Sequence, residues 1–259
     1  MHRRPILIVA SAIALLAAIT ASVALAGAPV TGADGNSQAI DVKIGPKTLS
    51  KTKLTPATLE VTTKVTTSNP TGVPVPATRV VVDFDKTAKL FTKGLPTCTS
   101  AKLQNVSTEI AEQNCKSAII GRGTASALLP VGSKIFPVAQ EVTAFNGVPK
   151  GGKPVVYLHS YGTTPIQTTL VLTGVVSTYN KEGYGPRLDV EVPLIAGGAG
   201  ALTDFNVKID KKFRYKGEMR SFISAKCPNS KKLKARGAFT FKDGETITAL
   251  SSQSCKQKK

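Results

Sequence analysis

The chain of 259 residues contains no tryptophan, only two histidines and 5% aromatic residues in all. With so few imidazoles it lacks the usual material for a histidine-rich metal centre or a serine–histidine relay. Without tryptophan it lacks the common stacking platform for sugars. Neither Gly-x-Ser-x-Gly nor His-Glu-x-x-His occurs. Acidic residues are also scarce: 16 Asp and Glu stand against 34 Lys and Arg, a formal charge of +18. Beyond residue 26 no apolar run reaches the roughly 18 residues needed to cross a bilayer. The first cysteine is Cys98, so no lipidated cysteine follows an export signal, and residues 254–259 offer neither an apolar tail nor a Leu-Pro-x-Thr-Gly sorting motif. No catalytic, cofactor-binding or metal-binding residue is assigned from these patterns, and no cofactor is expected.

What the sequence does contain begins with an address. His2, Arg3 and Arg4 precede 21 residues, Ile6 to Ala26, in which only Ser11, Thr20 and Ser22 are polar. Ala24-Leu25-Ala26 supplies the small residues that signal peptidase reads, so residues 1–26 are expected to be a signal peptide cut between Ala26 and Gly27. The rival reading is an uncleaved membrane anchor, since the run is long enough to span. In either case the rest of the chain lies outside the cytoplasm, secreted or associated with the envelope. The four cysteines suit such an oxidising compartment. They lack Cys-x-x-Cys spacing and histidine partners, which disfavours zinc. Of the three pairings, the sequential one, Cys98–Cys115 and Cys227–Cys255, is favoured, although sequence alone leaves the choice open.

Residues 27–38 read as a flexible leader and 39–259 as a single β unit. The chain holds 29 Thr and 24 Val, stiff residues that favour strands. Leu59, Val61, Thr63 and Val65 alternate with Glu60, Thr62 and Lys64. The same period of two runs through 80–85, 187–192 and 205–210. Further strands are expected near 117–128, 138–146, 153–161, 167–178 and 217–226, separated by turns at 69–72, 146–147, 151–154, 184–186 and 197–198. About ten such strands predict an all-β antiparallel sandwich. One short helical segment is expected near 99–114, capped by Asn105 or Ser107 and stapled by Cys98–Cys115. The stretch 147–154 divides the cysteines two and two and marks a place where the unit could be subdivided. Asp243-Gly244 predicts a two-residue hairpin turn with Lys242 opposite Glu245.

Several pieces carry a resemblance. They are Lys93-Gly94-Leu95-Pro96-Thr97-Cys98, Cys115 with Gly121-Arg122-Gly123-Thr124-Ala125, Phe145-Asn146-Gly147, and Leu158-His159-Ser160-Tyr161-Gly162. Phe213-Arg214-Tyr215 to Cys227-Pro228, and Phe239-Thr240-Phe241 before Cys255, complete the set. Over residues 79–255 the chain resembles a group of exported bacterial proteins of no known activity. The resemblance implies a secreted, disulfide-bonded all-β protein and brings no substrate, cofactor or catalytic residue.

The remaining candidates are weighed by chemistry. His159 shares a strand face with Val155, Tyr157 and Tyr161 and could serve a secreted hydrolase as general base; the plainer reading is a half-exposed strand residue. Asp83 and Asp85, two apart, lie on one face and read as a solvated edge beside Lys86 and Lys89, as do Asp189 and Glu191. Charge says more. Residues 208–236 hold 11 Lys or Arg against Asp210 and Glu218, whereas 27–206 hold 17 against 12 acidic residues. Lys208, Lys234, Arg236 and Lys242 point away from the core on the alternation and are the anion-binding candidates. The expected function is therefore non-catalytic, at the cell envelope, binding an anionic wall polymer, lipid head groups or a protein partner. The alternatives are a hydrolase near His159 and a membrane-tethered accessory domain. Nucleic acid lacks an aromatic-stacking motif here and is disfavoured as a partner. Against all of these stands a charge that serves only solubility.

Overall fold

The computed structural model describes residues 27–164 and 167–258; the expected signal peptide and Ala26 lie outside this range. The strands are β1 (Val30–Thr31), β2 (Asn36–Gly45), β3 (Thr48–Ser50), β4 (Thr55–Thr67), β5 (Ala77–Asp85), β6 (Lys89–Leu90), β7 (Ile119–Val131), β8 (Lys134–Lys150), β9 (Lys153–Gly162), β10 (Thr168–Thr178), β11 (Tyr184–Glu191), β12 (Ala201–Ile209), β13 (Lys212–Tyr215), β14 (Glu218–Ser221), β15 (Ile223–Ala225), β16 (Lys232–Phe241), β17 (Thr246–Ser254) and β18 (Lys256–Lys258). The helix α1 covers Thr108–Cys115.

One sheet runs in the order β1-β2-β4-β12-β7-β8-β9-β10-β11-β5-β16-β17 and rolls into a nearly closed barrel. The chain is all-β and antiparallel as expected, but the two stacked sheets of a sandwich are replaced by this continuous wall. Alternation of inward apolar and outward polar residues is common to both architectures, so the period alone does not separate them. Ten antiparallel steps lead from β2 to β17, so these two strands run in the same direction where they meet. Side chains bridge that seam: the Val42 N–H donates to Ser251 Oγ at 2.9 Å, and the Ile44 N–H to Gln253 Oε1 at 2.6 Å. The Gln253 amide donates back to the Ile44 carbonyl at 3.0 Å.

The inward residues are those the alternation selects. Leu59, Val61 and Thr63 of β4, Val80, Val82 and Phe84 of β5, and Phe205, Val207 and Ile209 of β12 all line the lumen. One end is sealed by Phe222 and Ile223, both buried, with Leu90 beside them; there β15 pairs with both β4 and β6. Toward the other end, the mouth, the inward residues Val61, Thr63, Leu172, Leu202 and Phe205 are only half-buried. A glycine serves one close approach: a Cβ at Gly123 would sit 1.8 Å from the Asn206 carbonyl oxygen of the neighbouring strand.

Several expectations are corrected. The leader 27–38 is not free: Val30 and Thr31 pair with Gln38 and Ser37, and Asn36 is fully buried, exchanging side-chain bonds with the Val75 backbone. The Gly and Asp residues there shape a tight hairpin rather than a linker. Asn146-Gly147 lies inside β8, where the buried Asn146 amide donates to the Leu95 and Pro96 carbonyls. The stretch 147–154 is the end of the β8–β9 hairpin, in one continuous sheet. The expected strand 217–226 is split into β14 and β15. Residues 129–137 extend the β7–β8 hairpin through Pro130 and Pro137, because no outer strand there asks for their missing N–H. The last hairpin turn has three residues, not two. The Phe241 N–H donates to the Glu245 carbonyl, with Gly244 at φ +91°. Lys242 therefore does not face Glu245, whose carboxylate accepts the Ala33 and Asp34 N–H groups instead.

Both disulfides are sequential, Cys98–Cys115 and Cys227–Cys255, with Cα separations of 5.6 and 5.9 Å. The first fastens α1, whose N-cap Ser107 accepts from the Ile110 N–H, onto the outer wall over Phe145. The second closes the base of the β16–β17 hairpin.

Candidate functional site

Because the strands alternate in direction, every connection falls at one end or the other. Segments 46–54, 86–98, 116–118, 151–152, 179–183, 210–231 and 255–258 lie at the sealed end and carry 17 Lys or Arg against 3 Asp or Glu, while residues 99–115 cross the outer wall. Segments 32–35, 68–76, 132–133, 163–164, 192–200 and 242–245 lie at the mouth and carry one Lys against 3 acidic residues. Nearly the whole excess of positive charge in the connections is thus gathered at the sealed end.

The centre of this surface is the β13–β14 ribbon. Alternation splits it into two faces. Phe213 and Tyr215 turn toward the barrel and meet Phe91 at ring-centroid distances of 6.0 and 5.5 Å. Lys212 and Arg214 turn outward, exposed, with Lys216 at the turn. Among the described residues, no carboxylate lies within ion-pairing distance of Lys212, Arg214 or Lys216; Arg220 pairs with Glu218. The aromatic anchor fixes the ribbon, and the unneutralised cations project from it.

The four anion-binding candidates are not brought together. β12, with Lys208, and β16, with Lys234 and Arg236, lie on separate parts of the wall, with β4, β2 and β17 between them. The Arg236 guanidinium is occupied by Asp83, at 2.8 Å, and by Glu182, at 2.7 Å. Lys234 donates to the Glu182 carbonyl. Lys242 stands at the mouth beside Gly198. Sequence adjacency missed the sealed-end grouping because segments far apart in the chain build it; the signal was the run of bases in 211–216.

Asp83 and Asp85 are not a solvated edge. Both are buried, at 2% and 5% exposure. Arg187 holds Asp83 at 2.6 Å on one side and Arg236 holds it on the other. Burial pushes the Asp83 carboxyl up, but hydrogen bonds and attraction from the two guanidiniums outweigh it and hold it below its ordinary value. The same bond to Asp83 raises Arg236. Tyr179 lies under Arg187 at 3.9 Å. Asp85 accepts from the Thr87 N–H and hydroxyl and from the Lys234 N–H. Asp189 pairs with Arg79, while Glu191 is exposed.

His159 is fully buried on the outer wall beneath α1, not half-exposed. Its Nε2 lies 3.2 Å from the Val106 carbonyl, which assigns the ring proton there, and its buried Nδ1 has no partner among the described residues. Burial lowers its pKa, with the Val106 carbonyl and the Glu112 charge acting in the opposite sense. Across the ladder, Thr143 donates to Glu112, which Arg122 also clasps at 2.9 Å. The Arg122 bond leads the lowering of the Glu112 pKa. Among the described residues, no serine or aspartate hydrogen-bonds the imidazole. Comparison with protein families, curated proteins and solved structures gives no match to this chain.

Proposed function

We propose that the protein is an exported, non-catalytic component of the cell envelope that attaches to an anionic surface through the sealed end of its barrel. One observation carries this reading: 17 basic residues against 3 acidic ones on that end, with Lys212, Arg214 and Lys216 projecting unneutralised from a pinned ribbon. Clustered charge backed by a low-dielectric wall attracts polyanions at ranges near the Debye length, about 8 Å at physiological salt. The chemistry fits phosphate polymers of a wall or anionic lipid head groups, each basic residue contributing about 1 kcal/mol near such a surface. The two disulfides are compatible with an oxidising, extracytoplasmic compartment. Removal of residues 1–26 belongs to the same reading, and the exported protein is expected to begin at Gly27 by N-terminal sequencing.

The test is retention on anionic vesicles and on purified wall polymer across a salt series. Retention should fall steeply as salt rises. The triple reversal Lys212→Glu, Arg214→Glu, Lys216→Glu should weaken it about a hundredfold or more. The matched triple Lys64→Glu, Lys134→Glu, Lys242→Glu, toward the mouth, should weaken it far less. Equal losses would reduce the effect to net charge and remove the site. A hydrolytic reading centred on His159 and Tyr157 draws no support from the geometry, since the imidazole is sealed under α1 with a backbone carbonyl as its bonded partner.

A further inference from the structure

The lumen is a second, independent feature. It encloses a cavity of about 140 Å³, and of the side chains around it only Thr63, toward the mouth, is polar. A small barrel of eight strands is just filled by its own side chains. Here eleven strands, β2 through β17, enclose the space, and inward positions such as Val61, Val82, Val176 and Val190 are of modest size. The result is a void that the fold does not fill. Access is one-sided. Phe222 and Ile223 close the basic end, while Leu172, Leu202 and Phe205 are half-buried at the mouth. The charges of the mouth connections are few, Asp34, Lys242, Asp243 and Glu245, and the β7–β8 hairpin, with Val131 and Ile135 exposed, rises beside them.

We infer that the lumen is a binding site for an uncharged apolar ligand, or the apolar end of an amphiphile, about the size of one six-membered ring. The volume matches the roughly 150 Å³ at which a cavity lined by Leu, Ile and Phe stays dry and takes up benzene. The lining offers such a guest dispersion contacts and almost no hydrogen-bonding demand, so a polar or charged ligand would lose its hydration without compensation. The guest enters by the mouth, and its polar end, if it has one, stays there.

The experiment uses the exported protein with toluene as probe, followed by ligand-observed NMR and by the rise in Tm. Wild type should bind toluene saturably at one site. Val61→Phe, which places a ring in the lumen, should weaken binding about tenfold or more; Leu250→Phe, on the outer wall, should leave it unchanged. Phe205→Leu, which enlarges the mouth side, should improve uptake of naphthalene relative to toluene and serves as the second variant if Val61→Phe misfolds. Absence of saturable toluene binding by wild type would overturn the inference. So would equal losses in Val61→Phe and Leu250→Phe. Neither result bears on retention by anionic surfaces, so the two readings fail separately.

Discussion

Asp83 shows how a single buried carboxylate can organise a wall. It sits on β5 between β11 and β16, and each neighbour contributes one arginine to it. Removing the Asp83 charge leaves Arg187 without its carboxylate and Arg236 with Glu182 alone, so Asp83→Asn is expected to lower stability by about 3 kcal/mol, read from urea midpoints. Because the folded carboxyl titrates below its ordinary value of 3.8, its contribution is complete above that pH and is lost as pH falls through the lower folded value. His159 acts in a higher window. Its folded pKa lies below the ordinary 6.5, so between the two values the unfolded chain holds a proton that the folded chain does not. Stability should therefore decline as pH falls below about 6.5. His159→Gln should flatten that slope when urea midpoints at pH 5 and pH 7.5 are compared. Neither partner set was legible in the sequence. Asp83 and Arg236 are 153 positions apart, and a carboxylate two residues from another looks the same on a wet edge as in a buried clasp.

At the scale of elements, what the sequence disclosed was phase. The inward sets Leu59-Val61-Thr63, Val80-Val82-Phe84 and Phe205-Val207-Ile209 follow from period two, because a slip of one residue would turn the whole set to water. Order was hidden. Placing β12 between β4 and β7 depends on pairings across as many as 150 residues, which composition does not encode. The prolines misled in a regular way: Pro130 and Pro137 suppress a strand reading, yet they fall where the hairpin has outrun its neighbours and no ladder bond is lost. The seam makes its own prediction. Gln253 supplies both an acceptor and a donor to the Ile44 backbone where β17 and β2 run parallel. Gln253→Ala should remove the side-chain partner of both the Ile44 N–H and the Ile44 carbonyl, lower stability by about 1–3 kcal/mol, and speed amide exchange at Ile44 ahead of Val42, whose N–H keeps Ser251.

For the whole molecule, the balance between an unfilled centre and a charged base decides the behaviour. A guest in the lumen would add dispersion contacts with the apolar side chains that line it. The charge at the opposite pole repels itself, so added salt should raise Tm even as it weakens retention on anionic vesicles. Thermal melts and vesicle retention over one salt series would show the two curves moving in opposite directions.

The placement of nearly all surplus cations on the sealed end has a geometric consequence. A body drawn to a negatively charged layer by one pole comes to rest standing on it. Each molecule then resembles a cup on a tray, its brim turned to the open medium and its contents exchangeable without its leaving the surface. Filling the cup touches none of the residues it stands on, so the two occupancies should be thermodynamically independent, and toluene affinity should be the same for free protein and for protein adsorbed on anionic vesicles.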